Sequence, residues 1–202
     1  VQNCRPHRVL AHAVPLTTVV FSILALLVLP LSFLGTSSAV ASPPSGGLFA
    51  GGGVSGYGQA ATYGSFSGVT LASPAVGMAP TPSGNGYWVT AADGGVFNYG
   101  GAGFHGSAGG QNLVAPVTGI AALADGSGYY LVAADGGVFA YNAPFFGSAA
   151  GVANGVVMGI TAGSGGGYTL ATDVGGAFAY GATYFGNQNN SGVVDPVVSI
   201  AS

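Results

Sequence analysis

Asp93-Gly-Gly-Val-Phe-Asn-Tyr99, Asp135-Gly-Gly-Val-Phe-Ala-Tyr141 and Asp173-Val-Gly-Gly-Ala-Phe-Ala-Tyr180 are three copies of one phrase, and a weaker copy, Gly51-Gly-Gly-Val-Ser-Gly-Tyr57, precedes them. The four tyrosines are 42, 42 and 39 residues apart. A period of about forty residues marks a tandem array of one supersecondary unit. Repeats of this kind speak clearly about architecture and say little about chemistry.

The cleanest copy of the unit runs over residues 74–115. A short apolar run, Ala75-Val-Gly-Met-Ala79, is followed by turn chemistry at Thr81-Pro-Ser-Gly-Asn-Gly86 and by the β-rich Tyr87-Trp-Val-Thr-Ala91. Asp93-Gly94 is a hairpin signal, because the turn needs positive φ. Val96-Phe-Asn-Tyr99 reads as a third strand and Gly103-Phe-His-Gly106 as a short fourth. Residues 116–156 and 157–196 repeat the order. No stretch after residue 41 has a helical period, so almost no helix is expected. Residues 197–202 match a first strand, while residues 46–73 supply the second, third and fourth strands of a unit that lacks its first. The two ends together complete a fourth unit. The expected fold is all-β: a propeller-like array of four-stranded antiparallel units, with four blades and a blade shared by the termini. A truncated larger propeller and a β-trefoil are the alternatives.

Residues 1–41 read as a signal peptide. Arg5, His7 and Arg8 form a basic start, Val19 to Leu29 is apolar except for Ser22, Pro30 ends the run, and Ala39-Val-Ala41 is a cleavage site. A retained membrane anchor is the competing reading. Both cationic side chains and the sole cysteine lie in this segment. Residues 42–202 then form the repeat domain, with 5 acids, one histidine and no lysine, arginine or cysteine. A chain without cations cannot neutralise phosphates, which excludes nucleic acid as a partner and disfavours anionic membranes. Its stability rests on backbone ladders and aromatic burial, with no disulfide available.

The pattern Pro-Val-x-Gly-Ile-Ala, Gly-Tyr-Trp-x-Val, Ala-Asp-Gly-Gly-Val-Phe-x-Tyr-Gly and Phe-x-Gly-Ser resembles the tandem repeat of secreted and cell-surface actinobacterial proteins, over about residues 46–202. The resemblance implies a propeller-like fold. It also implies repeats that often accompany exported cell-wall hydrolases, although no such catalytic domain stands in this sequence. The third complete unit departs from the pattern at Asp173-Val-Gly-Gly.

Candidate chemistry is sparse. Asp93, Asp135 and Asp173 recur at one turn position, which suits bonds to their own turn backbone better than a pair of catalytic carboxylates. His105 is the only general-base candidate, and its counterparts Tyr63, Phe146 and Phe185 are aromatic. The G-x-G-x-x-G strings at 51–56 and 101–106 open no helix and carry no dinucleotide signal. Catalytic residues, metal ligands and cofactors are therefore not expected. The recurring Phe97, Phe139 and Phe178, and the recurring tyrosines, suit packing between units. Function is sought where the units differ: Trp88, with counterparts Tyr130 and Thr169; His105; and the amide-rich loop with Asn187, Gln188 and Asn189. Aromatic faces beside amides suit sugar rings. The expected role is an exported, non-enzymatic binding module, secreted or on the cell surface, with a carbohydrate or a cell-surface protein as partner. The alternative is an accessory repeat region of a larger cell-wall hydrolase. N-terminal sequencing of exported protein is expected to begin at Ser42; a product that retains residues 19–34 contradicts cleavage.

Overall fold

A computed structural model describes residues 46–48, 53–56, 60–66, 69–187 and 200. The predicted signal peptide, most of the predicted closing strand at 197–202, and Tyr57, Gln188 and Asn189 lie outside the described residues. Among the described residues there is no helix. The chain forms β1 (Gly46–Leu48), β2 (Val54–Gly56), β3 (Ala75–Pro80), β4 (Gly86–Ala91), β5 (Val96–Gly100), β6 (Val117–Ala122), β7 (Tyr129–Ala133), β8 (Val138–Tyr141), β9 (Val157–Ala162), β10 (Tyr168–Thr172) and β11 (Ala177–Tyr180). These strands build one two-stranded sheet, β1-β2, and three antiparallel sheets of three: β3-β4-β5, β6-β7-β8 and β9-β10-β11.

Both hairpins of each unit turn on glycine. In the second hairpin the backbone reverses at Gly94, Gly136 and Gly175, with φ of 81°, 87° and 80°, a conformation that a side chain disfavours. Each unit also carries a bulge between its first two strands, between Ala75 and Gly77 in the first complete unit.

The middle strands are the most buried elements. Every residue of β4 and β7 is buried, because each middle strand has a neighbouring unit on both faces. Tyr129 and Leu131 enter a cluster with Ala79 and Trp88 of the preceding unit. Tyr130 and Val132, on the opposite face, enter a cluster with Ile160 and Tyr168 of the following unit. The unbroken apolar runs Tyr87-Trp-Val and Tyr129-Tyr-Leu-Val are the sequence form of this two-faced burial. The first strands of successive units lie side by side. Gly77 stands 3.3 Å from Ile120 Cγ2, measured from where a Cβ would be, and Gly159 stands 3.0 Å from Ile200 Cγ2 in the same sense. Val117 N–H donates to Ala92 O, and Val157 N–H to Ala134 O, each at 2.9 Å, so each first strand is also tied to the turn of the unit before it.

The expected fourth strand is not a strand. Residues 103–106, 144–148 and 184–186 join no ladder. A glycine at positive φ interrupts each aromatic run: Gly106 at 133°, Gly147 at 129° and Gly186 at 111°. Instead of pairing within its own sheet, the segment crosses to the next unit and is held there by a tyrosine. The Tyr129 hydroxyl accepts from His105 N–H at 3.2 Å and donates to Gly106 O at 2.5 Å. Tyr168 does the same with Phe146 N–H at 3.1 Å and Gly147 O at 2.5 Å. Tyr87 repeats it with Tyr63 N–H, at 3.2 Å, and Gly64 O. The cross-strand partner tyrosine completes the clasp: a Cβ on Gly64 or Gly106 would fall 2.5 Å from the ring of Tyr99 or Tyr141, and on Gly147 2.9 Å from that of Tyr180. The recurring tyrosines Tyr99, Tyr141 and Tyr180 thus pack between units, as their periodicity implies.

Tyr129→Phe keeps the ring and removes the hydroxyl, leaving one N–H and one C=O without their partner. Denaturant unfolding is expected to show a loss of about 1–3 kcal/mol, and Tyr168→Phe a similar one. A change within experimental error in both variants contradicts the clasp.

Candidate binding surface

The connectors between units present the most accessible rings. Phe104, Phe145 and Tyr184 occupy the same position of successive units, two residues before the connector glycine at positive φ, and are 57%, 59% and 53% exposed. The backbone beneath Phe104 and Phe145 is fixed: the next N–H bonds the tyrosine hydroxyl of the following unit. Two residues beyond the clasp glycine, Ala108 N–H and Ala149 N–H bond Gly94 O and Gly136 O of their own turns at 2.9 Å. The rings of Phe104 and Phe145 are therefore held on a fixed backbone although no ladder contains them.

The residues singled out by their uniqueness sit elsewhere. Trp88 is 1% exposed and Tyr130 is fully buried. Trp88 Nε1–H donates to Gly103 O at 2.6 Å, and the Tyr130 hydroxyl lies 2.9 Å from Pro144 O and 2.7 Å from Gly166 O. Neither ring offers a face to solvent, so both are corrected from contact residues to seam-filling ones. A tryptophan with its one polar atom bonded inside is the stable way to bury so large a ring. His105 is half-buried at the seam, with ring centroids 5.5 Å from Tyr129 and 6.2 Å from Trp88. Its Nε2 is buried without a hydrogen-bond partner. Asn187 is exposed at the end of the third connector. The structure thus brings Trp88 and His105 together, and leaves Tyr130 and Asn187 in separate places.

The turn aspartates divide. Asp93 Oδ1 accepts from Gly95 N–H at 3.0 Å and Asp135 Oδ1 from Gly137 N–H at 2.9 Å, each closing its own turn. Asp173 does not share their position. Val174 stands in the turn slot, since Gly175 is the glycine at positive φ. Asp173 lies one residue earlier, and its Oδ1 accepts from Val156 N–H at 2.8 Å across the loop. The first strands line an open cavity of about 500 Å³, bordered by Met78, Thr118, Ile120, Met158, Ile160 and Ile200 among others, with no titratable side chain.

No protein-family model matches the chain, and no curated protein matches it either. The site must therefore be read from its own geometry. The rings at 104, 145 and 184 escaped sequence reasoning because it assigned repeated aromatics to packing. The signal for them is positional: all three stand two residues before the connector glycine, and Phe104 and Phe145 immediately precede a residue whose backbone the clasp holds.

Burial holds the hydroxyls of Tyr129 and Tyr168 above the usual phenol range, partly offset by their connector hydrogen bonds. Burial raises Tyr141 and Tyr180 as well. A raised value in the fold means that these phenols stabilise it while protonated. That contribution is complete below pH 10.0, the free phenol value, and disappears as pH climbs through the folded values. The melting temperature is expected to hold up to that pH and then to fall in step with tyrosinate absorbance. A melting temperature that stays level while the tyrosines ionise contradicts this.

Proposed function

We propose that residues 42–202 form a propeller-like array and act as an exported, non-enzymatic binding module whose ligand is cell-wall glycan. The observation that carries the binding role is the half-exposed ring repeated at Phe104, Phe145 and Tyr184, the first two on clasped backbone. A polymer with a repeating apolar ring face is the partner that a repeated aromatic suits best. The absence of lysine and arginine from residues 42–202 favours a neutral polymer over an anionic one. His105 is wedged between Trp88 and Tyr129 rather than set beside a nucleophile, which supports a binding role over catalysis.

The propeller-like reading rests on the constant step between units. β3 lies beside β6 and β6 beside β9, and Ile200 meets Gly159 as Ile120 meets Gly77. Such a step supports a fourth unit whose first strand comes from the C-terminal segment and whose β1 and β2 come from the N-terminal side. Radial repetition of this sort leaves only short, protected sheet edges.

Co-sedimentation with purified peptidoglycan and with insoluble neutral polysaccharides tests the function. The triple variant F104A/F145A/Y184A is expected to lose retention by about tenfold or more while its melting temperature stays within a degree or so of the parent. Equal retention of parent and variant contradicts the reading, as does an absence of retention on every polymer.

A further inference from the structure

The seam at the third unit differs from the two before it. Trp88 fills one seam and Tyr130 the next; Trp88 donates to the connector carbonyl of Gly103, and the Tyr130 hydroxyl lies within hydrogen-bond distance of the connector carbonyl of Pro144 and of Gly166 O. Strand register sets Thr169 at the same position of β10: Trp88 pairs with Asn98, Tyr130 with Ala140 and Thr169 with Ala179. A threonine thus stands where the other units carry a large ring with a donor. A pocket of about 460 Å³ opens there, a size that suits a small ligand. Its lining includes Thr161, Ser164, Thr169, Thr183, Phe185 and Ile200, and no charged side chain. Thr183 takes the place of Gly103 and Pro144, so its backbone occupies the position that accepts the ring's hydrogen bond at the other seams.

A further observation points to a ligand. Phe185 is 94% exposed, whereas its counterparts Tyr63, His105 and Phe146 lie against the tyrosine of the following unit at centroid distances of 6.0, 5.5 and 6.1 Å. The pocket therefore offers an uncovered aromatic face, the side chains of Ser164, Thr169 and Thr183, and the space of one absent ring.

We propose that this pocket binds one ring of a neutral carbohydrate, with an apolar C–H face on Phe185 and hydroxyls meeting Thr169 and the Thr183 backbone. The ligand supplies at this seam what Trp88 and Tyr130 supply at the others: a flat body and a hydrogen-bond donor. The sugar class is shared with the proposed function, but the site is separate from the rings at 104, 145 and 184. It binds an isolated short sugar, where the connectors bind a polymer.

Calorimetric titration of the repeat domain with N,N′-diacetylchitobiose, cellobiose and maltose tests the site. Saturable binding of at least one disaccharide is expected. Thr169→Tyr, which puts the Tyr130 phenol into the third unit, is expected to abolish that binding, to leave or raise the melting temperature, and to leave polymer co-sedimentation unchanged. Phe185→Ala is expected to weaken the disaccharide by about tenfold or more with an unchanged melting temperature. Parent-like disaccharide binding by the F104A/F145A/Y184A variant also supports a separate pocket. Polymer retention without saturable disaccharide binding overturns the pocket and leaves the connector reading standing. Parent-like disaccharide affinity in Thr169→Tyr overturns it as well. A markedly lowered melting temperature in Thr169→Tyr shows that a segment of this chain fills the space, and overturns it too.

Discussion

A tyrosine hydroxyl that accepts one backbone N–H and donates to the next carbonyl of a neighbouring unit is the contact on which the assembly depends. Tyr87, Tyr129 and Tyr168 each make it, and each reaches back more than 20 residues to do so. The connector it holds has no ladder of its own, and its backbone groups need partners once they are covered. The hydroxyl supplies an acceptor and a donor at one point, and the partner tyrosine seals the adjoining glycine. The Gly-Tyr that opens β4, β7 and β10, the Tyr near the end of β5, β8 and β11, and the connector glycines Gly64, Gly106 and Gly147 form one device spread over two units.

This device explains how a domain without disulfides or cations can hold together. The hydrophobic clusters do not sit inside single units; they lie at the seams, each shared between neighbours. A lone three-stranded sheet would leave both faces of its middle strand in water, so each unit gains its core only by stacking. Each large buried aromatic contributes roughly 1.5–3 kcal/mol through burial, and the clasp fixes the distance at which the rings meet. Where a ring is replaced, as at Thr169, a pocket of about 460 Å³ stands in its place.

Much of the fold was legible in the sequence because hydrophobic runs and turn glycines obey local rules. The strands around Tyr87 to Ala91, Tyr129 to Val132 and Tyr168 to Leu170 follow from β-rich composition, and the hairpins from Asp93-Gly94 and Asp135-Gly136. The fourth strand misled because Phe104 to Gly106 and Phe145 to Gly147 have strand-like composition, while the bonds that hold them are made by a tyrosine more than 20 residues away. Asp173 misled for a simpler reason: the valine inserted after it moved the glycine at positive φ by one place, so the turn selected Val174 instead. Trp88 and Tyr130 stood out as unlike residues, but a buried position tolerates different large rings if each finds an acceptor. Their difference from Thr169 was the informative part, and its meaning depends on which faces of β4, β7 and β10 are covered.

Residue-resolved hydrogen exchange measures the central contact most directly. The amides of Tyr63, His105 and Phe146 belong to no strand ladder, yet each donates to a tyrosine hydroxyl across a seam. The account predicts that these three exchange as slowly as the amides of the middle strands, and that Tyr129→Phe accelerates His105 selectively. Exchange of all three at the rate of open loops, in a protein whose middle strands remain protected, would contradict it.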